Sequence, residues 1–279
     1  MRTGDGDEQA VQVLRLEQLG ERSAGLSLLG TVALALVAGV FVALGAVAAT
    51  TTVAGSTMPF GLTRLFGGVV GALGFALALL TGAQVFVGNN GVVMAWVGGR
   101  LRFLKVVRLW TLVLAGNAVG AMCVVGLVFV SGHHLMGRGV VGATTLAIAH
   151  GKCQLDPVQA LALGVLGAVS LGLAVWLGDL ARSSGARLAL TVPPLAVLGL
   201  VGFEHVVANL YYVPAGLLIK LAASSAFWEA TGRVPADYPA LTIDQFVVNN
   251  LLPVLMGNLL GGGALLAVLY WAIFARSRG

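Results

Sequence analysis

The sequence predicts an all-α membrane protein in which six transmembrane helices form a 3+3 inverted repeat with broken second and fifth helices. Three observations predict this fold: the mean hydropathy is +0.95, only 10% of the residues are charged, and six apolar runs alternate with polar connections. A soluble domain carries about a quarter of its residues as charged side chains. This chain cannot cover its surface with charge, so its outer surface must face lipid.

The apolar runs have the length that a membrane span requires, which is about 20 residues. They lie at roughly 27–50, 65–98, 109–131, 157–178, 188–220 and 248–274. The second and fifth runs are too long for simple rods and contain glycines and polar residues in mid-span. Such interruptions predict broken helices whose freed backbone lines a cavity. We therefore expect a six-span channel domain at 27–279.

A polar segment of mixed charge, 1–26, precedes the first run. We expect it to lie in the cytoplasm, and the composition of residues 1–24 fits either disorder or a short amphipathic helix. With both termini inside, eleven basic residues fall in cytoplasmic segments and five in external ones. This bias favours a multi-pass protein of the inner (cell) membrane with cytoplasmic termini.

Two short motifs recur in the same order in the two halves of the chain. Gly-Asn-x-x-Gly occurs at 116–120 and again at 257–261, and Gly-x-Gln at 82–84 corresponds to Gly-x-Glu at 202–204. Because each half contains three spans, the two halves have opposite orientations in the membrane. Inverted repeats with paired broken helices are typical of transporters and channels, with the pathway at the breaks.

The second break carries the ionisable residues Glu204 and His205, with Asn209 close behind. An ionisable group in mid-membrane costs several kcal/mol unless it is paired or faces water. Histidine also titrates near neutral pH, so it can exchange a proton under physiological conditions. These residues are the main candidates for a substrate pathway. The alternative is a structural Glu204–His205 pair that closes the break.

Other polar residues allow two interpretations each. Asn117 and Asn258 fit either pore lining or hydrogen bonding between helices, and Gln84 fits either pore contact or satisfaction of the broken backbone. Lys152, just before the fourth run, would either raise the anion concentration at a pore mouth or extend to the membrane interface.

At these motifs the chain resembles the formate/nitrite transporter family over about residues 28–274. The matching residues are Gly82-Ala83 with Phe86 and Asn89-Asn90, Gly116-Asn117 with Gly120, Lys152, Leu173-Ala174-Val175-Trp176, Gly202-Phe203-Glu204-His205 with Ala208-Asn209, Pro214-Ala215-Gly216, Asn250-Leu251-Leu252-Pro253-Val254 with Gly257-Asn258, and Tyr270-Trp271. The resemblance implies an aquaporin-like protomer in a homopentamer with one pore per subunit. It also implies passage of small monovalent anions such as formate or nitrite, or of their neutral acids, across the lipid bilayer.

The resemblance implies roles for individual residues as well. Lys152 would draw the anion into the vestibule, and His205, between two hydrophobic constrictions, would donate a proton to the anion or stabilise it. Phe75 would narrow the inner constriction, and Phe86 with Leu198 would form the outer one.

The chain departs from the family pattern at four positions. Val87 stands where the family usually has threonine, Ala168 where it has asparagine, Gly71 where the inner constriction has phenylalanine, and Leu198 where the outer constriction has an aromatic residue. A polar partner of the histidine is therefore absent, and we expect a wider inner constriction. These departures leave a neutral-solute pore for water or glycerol as an alternative function.

Two other function classes fit less well. A membrane-embedded enzyme that uses Glu204 and His205 would need a nucleophile or metal-ligand partner at matching depth, and the sequence offers none.

The two cysteines lack ligand spacing, so neither a metal nor a cofactor is expected. The net charge of +5 is scattered over the loops, which argues against a nucleic-acid partner. A purely structural membrane protein would leave the paired breaks unexplained, so we expect a transport protein.

Overall fold

A computed structural model of the chain describes residues 5–88 and 91–274, with side chains from residue 10 onward. Asn89 and Asn90 of the family motif lie outside the described residues, as do residues 1–4 and 275–279. The helices are Asp5–Ala24 (α1), Leu28–Val53 (α2), Phe60–Thr81 (α3), Gly91–Val97 (α4), Phe103–Val130 (α5), Val140–Cys153 (α6), Pro157–Asp179 (α7), Ser184–Val201 (α8), Val206–Ala222 (α9), Ser225–Thr231 (α10) and Ile243–Phe274 (α11).

Six of the described helices are long and apolar enough to cross a membrane, namely α2, α3, α5, α7, α8 and α11. They confirm the predicted six-span, multi-pass membrane fold. The last of them, α11, contains π-helical turns at Phe246–Leu251 and Leu259–Val268. Such turns locally widen a helix and are frequent at functional sites.

The two predicted helix breaks are present. In the second run α3 ends at Thr81 and α4 begins at Gly91, and in the fifth run residues 202–205 separate α8 from α9. Gly82 (φ 75°) ends α3 and Gly202 (φ 89°) ends α8, both in the left-handed conformation. Glycine adopts this conformation without the steric cost that a Cβ atom imposes.

The two halves pack in the same way, which confirms the inverted repeat. In the first half α2 packs against α3 and α5, and in the second half α7 packs against α8 and α11, while α3 and α8 join the halves. The glycines of the repeated motif allow this approach. A Cβ atom on Gly120 would lie 2.1 Å from the carbonyl oxygen of Leu36, and one on Gly261 would lie 2.2 Å from that of Val165.

Helix α1 lies against α4 and is attached to the transmembrane body by polar contacts. Arg100 Nε forms an ion pair with Glu17 Oε2 at 2.9 Å, and Gln12 Nε2 donates to the carbonyl of Trp176 at 2.9 Å. Val13 and Leu16 are buried. Of the two alternatives for the N-terminal segment, residues 5–24 therefore form a packed helix with one buried face.

We predict that Gly120→Ala and Gly261→Ala each destabilise the protein by about 1–3 kcal/mol, because the added methyl group must displace a backbone carbonyl in a neighbouring helix. Gly126→Ala in α5 is the matched control, since a Cβ atom there meets nothing within 4 Å. Thermal unfolding of the detergent-purified variants measures the difference. Equal stability of all three variants would contradict the assigned role of the motif.

Candidate functional site

A cavity of about 320 Å³ extends from the second helix break towards the membrane face where α2 ends and α3 begins. Its wall is largely apolar. The charged residues of its lining are Arg64, Lys152 and Glu204, and the lining also contains the ionisable His205 and Tyr212. Cavities with apolar walls and a few convergent polar groups are the usual form of a small-molecule site.

The side chain of Asn258 holds the second break in place. Its Nδ2 donates to the carbonyls of Gly164 (2.8 Å) and Glu204 (3.1 Å), and its Oδ1 accepts from the amide of Val206 (2.9 Å). The amide of Glu204 donates to the carbonyl of Leu163 at 3.1 Å. Backbone groups that the break removes from the helical ladder are thereby bonded inside the protein, as a membrane requires.

Asn117 holds the first break in place through the same three kinds of hydrogen bond. Its Nδ2 donates to the carbonyls of Ala35 (2.7 Å) and Gln84 (2.9 Å), and its Oδ1 accepts from the amide of Phe86 (2.9 Å). The amide of Gln84 donates to the carbonyl of Leu34 at 3.2 Å. The asparagine of the repeated Gly-Asn motif therefore stabilises the helix break in each half of the chain.

The carboxylate of Glu204 pairs with Lys152. The lysine Nζ lies 2.8 Å from both Oε1 and Oε2, and the two side chains are only 15% and 7% exposed. Asn209 (2.6 Å) and Asn250 (3.3 Å) also donate to Oε2. The alternative of a Glu204–His205 pair is thus wrong, because the carboxylate is bound to other groups.

His205 is the first residue before α9 and is almost completely buried. Its Nδ1 accepts from the amide of Val207 at 3.4 Å, so the neutral ring carries its proton on Nε2. That Nε2 has no hydrogen-bond partner among the residues the structure describes. The ring meets Phe75 edge-on, with 5.1 Å between the ring centroids. The site therefore presents one N–H donor next to an aromatic wall.

The cavity brings together six of the eleven predicted pathway residues, namely Phe75, Lys152, Leu198, Glu204, His205 and Asn209. The other five, Gln84, Phe86, Val87, Asn117 and Asn258, lie outside its lining. Their place in a longer pathway stays a prediction.

The cavity does not separate the residues expected in the two constrictions, whose roles stay predictions. Leu198, Phe75 and Gly71 all line the same cavity as Lys152, whereas Phe86 does not. The ring of Phe86 instead packs near Trp110, at 6.4 Å between centroids. Sequence order alone did not tell which aromatic residues of α3 and the first break face the same part of the protein.

Two residues of the site had no predicted role. Asn250 binds both Glu204 and Asn209 (2.7 Å), and its polarity within an apolar run was a signal that could have identified it. Arg64 lines the cavity, although its position near the start of a span resembles that of any interfacial arginine.

We predict that Lys152→Met lowers stability by about 3–5 kcal/mol, because it leaves the buried Glu204 carboxylate without its cation. Adding Glu204→Gln removes the uncompensated charge, so the double variant should regain most of the loss. Denaturant unfolding of the purified proteins measures both effects. A Lys152→Met protein as stable as the wild type would show that the ion pair is not structurally important.

Comparison with known proteins identifies the family. The model of the formate/nitrite transporter family matches residues 10–272. The formate channel FocA of Escherichia coli (strain K12) is 36% identical over 261 residues, which cover 93% of this chain and 92% of the relative. FocA of Haemophilus influenzae is 33% identical over 232 residues, covering 83% and 82%.

Solved structures agree with this family. A "pentameric formate channel with formate bound" superimposes with a TM-score of 0.85 at 33% identity, covering 89% of this chain and 98% of the other. An "FNT family ion channel" gives a TM-score of 0.75 at 20% identity, covering 97% and 99%, and it supports the fold alone. The matched proteins are channels and transporters, which confirms the prediction of a transport protein and not an enzyme. The chain belongs to the formate/nitrite transporter family.

Proposed function

We propose that this chain forms a channel for small monovalent anions of the formate and nitrite type, or for their neutral acids, with proton exchange at His205. The observation that carries the proposal is the buried His205 ring in a largely apolar cavity, with Nε2 left without a partner among the described residues. Its close relatives that are named formate channels support the substrate class.

The physical argument concerns desolvation. An anion loses its hydration in an apolar passage and pays a large penalty, whereas its neutral acid pays little. The Nε2–H of His205 can donate a hydrogen bond to an arriving anion, and a protonated ring can transfer a proton to it. The apolar ring of Phe75, 5.1 Å from the imidazole between centroids, lowers the local polarity, which strengthens such a hydrogen bond. Glu204 is bound to Lys152 and two asparagines. Its carboxylate therefore helps to hold the neighbouring backbone but does not form an ion pair with a protonated His205.

The departures at Gly71, Val87 and Ala168 bear on selectivity. Gly71 lines the cavity without a side chain, and Ala168 is buried and apolar. Val87 adopts a left-handed backbone (φ 59°), which is rare for a β-branched residue. With apolar groups at positions 87 and 168, we infer that proton exchange depends on His205 without the threonine and the asparagine that the family has at these two positions.

We further propose that the protein is a homopentamer in the bilayer of the inner membrane with cytoplasmic termini. The pentameric formate channel, similar over 89% of this chain, supports the assembly. Exposed apolar residues on α5, such as Val119, Leu127 and Val130, supply surface for neighbouring subunits and lipid. The excess of basic residues in the segments assigned to the inside supports the orientation.

We predict that proteoliposomes take up formate or nitrite faster when the outside is acidic, because acid increases both the neutral acid and the protonated histidine. His205→Asn should weaken this pH dependence, leaving only the part due to the neutral acid in solution, and lower anion flux roughly tenfold or more, since a hydrogen bond to a charged group contributes about 1.5–3 kcal/mol. A panel of formate, nitrite, lactate, hydrosulfide and glycerol measures the selectivity.

His133→Asn is the matched control for that experiment. His133 bonds Thr51 at 3.2 Å and does not line the cavity, so its replacement should leave the pH profile unchanged. Flux that ignores pH and favours glycerol over formate would instead indicate the neutral-solute pore.

We predict that native mass spectrometry of the detergent-purified protein gives a mass of five chains. Each chain has a mass of 28.4 kDa, so neighbouring oligomeric states are easily resolved. Val119→Glu, which places a charge on the exposed apolar face of α5, should reduce assembly, and an exposed polar control such as Arg233→Gln should not. A conducting protein that remains monomeric would contradict the proposed assembly.

A further inference from the structure

The charges that line the cavity do not cancel. Lys152 and Glu204 form a close ion pair, with Nζ 2.8 Å from both carboxylate oxygens, so together they contribute no net charge. His205 carries a neutral ring when its Nδ1 accepts from the amide of Val207. Tyr212, also in the lining, is neutral at physiological pH. The remaining charged residue of the lining, Arg64, therefore supplies the net positive charge of the cavity. Lys152, in contrast, is compensated by its own partner.

Arg64 is held at the mouth of the cavity by the end of α8. Its Nε donates to the carbonyl of Leu200 at 3.0 Å. This bond does not involve the two terminal amino groups, which can still donate to a ligand. Among the residues the structure describes, no carboxylate pairs with this guanidinium, and the side chain is half-buried. Its position is fixed, and its charge is uncompensated.

Gly202 makes room for this arrangement. A Cβ atom at Gly202 would lie 2.8 Å from Nη2 of Arg64, so the guanidinium lies directly over the glycine that ends α8. The terminal amino groups are thus next to the second break, whose following residues carry Glu204 and His205. The same glycine that allows the break also admits the cation beside it.

We propose that Arg64 is an anion-binding residue of the cavity mouth, and that its positive charge helps to concentrate small anions there. This inference rests on the proposed anion pathway. An excess of one sign of charge in a cavity with apolar walls focuses the electric field there. It raises the local concentration of ions of the opposite sign. The two terminal amino groups of the guanidinium, which have no hydrogen-bond partner among the described residues, can also bond the oxygens of a carboxylate or nitrite directly.

The test compares Arg64→Gln, Arg64→Lys and the exposed control Arg233→Gln by initial rates of formate flux in proteoliposomes. At low ionic strength we expect Arg64→Gln to raise the half-saturating formate concentration about three- to tenfold, with a smaller change in the saturating rate. Arg64→Lys should stay near the wild type. Added impermeant salt should shrink the difference to less than about twofold, because it screens the charge.

A second measurement varies the charge on one folded protein. Arg64→Cys, made in a Cys123→Ser background because Cys123 is exposed, is treated with methanethiosulfonate reagents. We expect a cationic reagent to restore low-concentration formate flux and an anionic reagent of similar size to reduce it further. The Cys123→Ser protein without the Arg64 change should respond to neither.

Two results would overturn the inference. One is a half-saturating concentration in Arg64→Gln equal to that in Arg233→Gln. The other is an equal response of Arg64→Cys to cationic and anionic reagents, which would assign Arg64 a structural role through Leu200. Both differ from failure of the proposed function, in which the wild-type protein itself would not conduct formate.

Discussion

The structure depends on one constraint of the bilayer: a backbone group that leaves the helical ladder must find a hydrogen-bond partner inside the protein. Both helix breaks meet it mainly through one asparagine side chain. Asn117 and Asn258 each bond one carbonyl of the facing helix, one carbonyl of the break and the amide two residues after that second carbonyl. A primary amide suits this task because it has donors and an acceptor in one plane. The breaks are therefore permanent parts of the fold.

The fixed second break determines where the ionisable side chains lie. With the carbonyl of Glu204 and the amide of Val206 both bound to Asn258, the backbone between them has little freedom. The carboxylate then faces Lys152, and the imidazole faces Phe75. A buried ion pair adds little stability relative to apolar packing, but the loss of one partner is expensive. Lys152 and Glu204 thus keep the vicinity of His205 polar and ordered without adding net charge.

The sequence was sufficient to predict the spans, the breaks and the repeat, because hydropathy, mid-span glycines and motif order are all local properties. It was not sufficient to choose between pore lining and helix bonding for Asn117 and Asn258, since both uses need the same residue type in the same span. The Lys152–Glu204 pair escaped prediction because it joins positions 52 residues apart whose depths depend on how α6 packs. The sequence also did not show that Leu198 lines the cavity and Phe86 does not, because the rotation of each helix about its axis decides which side chains meet, and packing sets that rotation.

The two halves of the chain have the same helix arrangement but differ in the side chains at their helix breaks. At corresponding positions the first break has Gln84, whose Nε2 donates to Ser23 Oγ of α1 at 3.2 Å, and the second has Glu204, whose carboxylate binds Lys152. The residue after it is Val85 in the first break and His205 in the second. An inverted repeat would by itself give equivalent surroundings on both sides of the membrane. The exchange of an amide for a carboxylate, and of an apolar residue for a histidine, places the ionisable groups in the second half, while the first break is bound to the N-terminal helix.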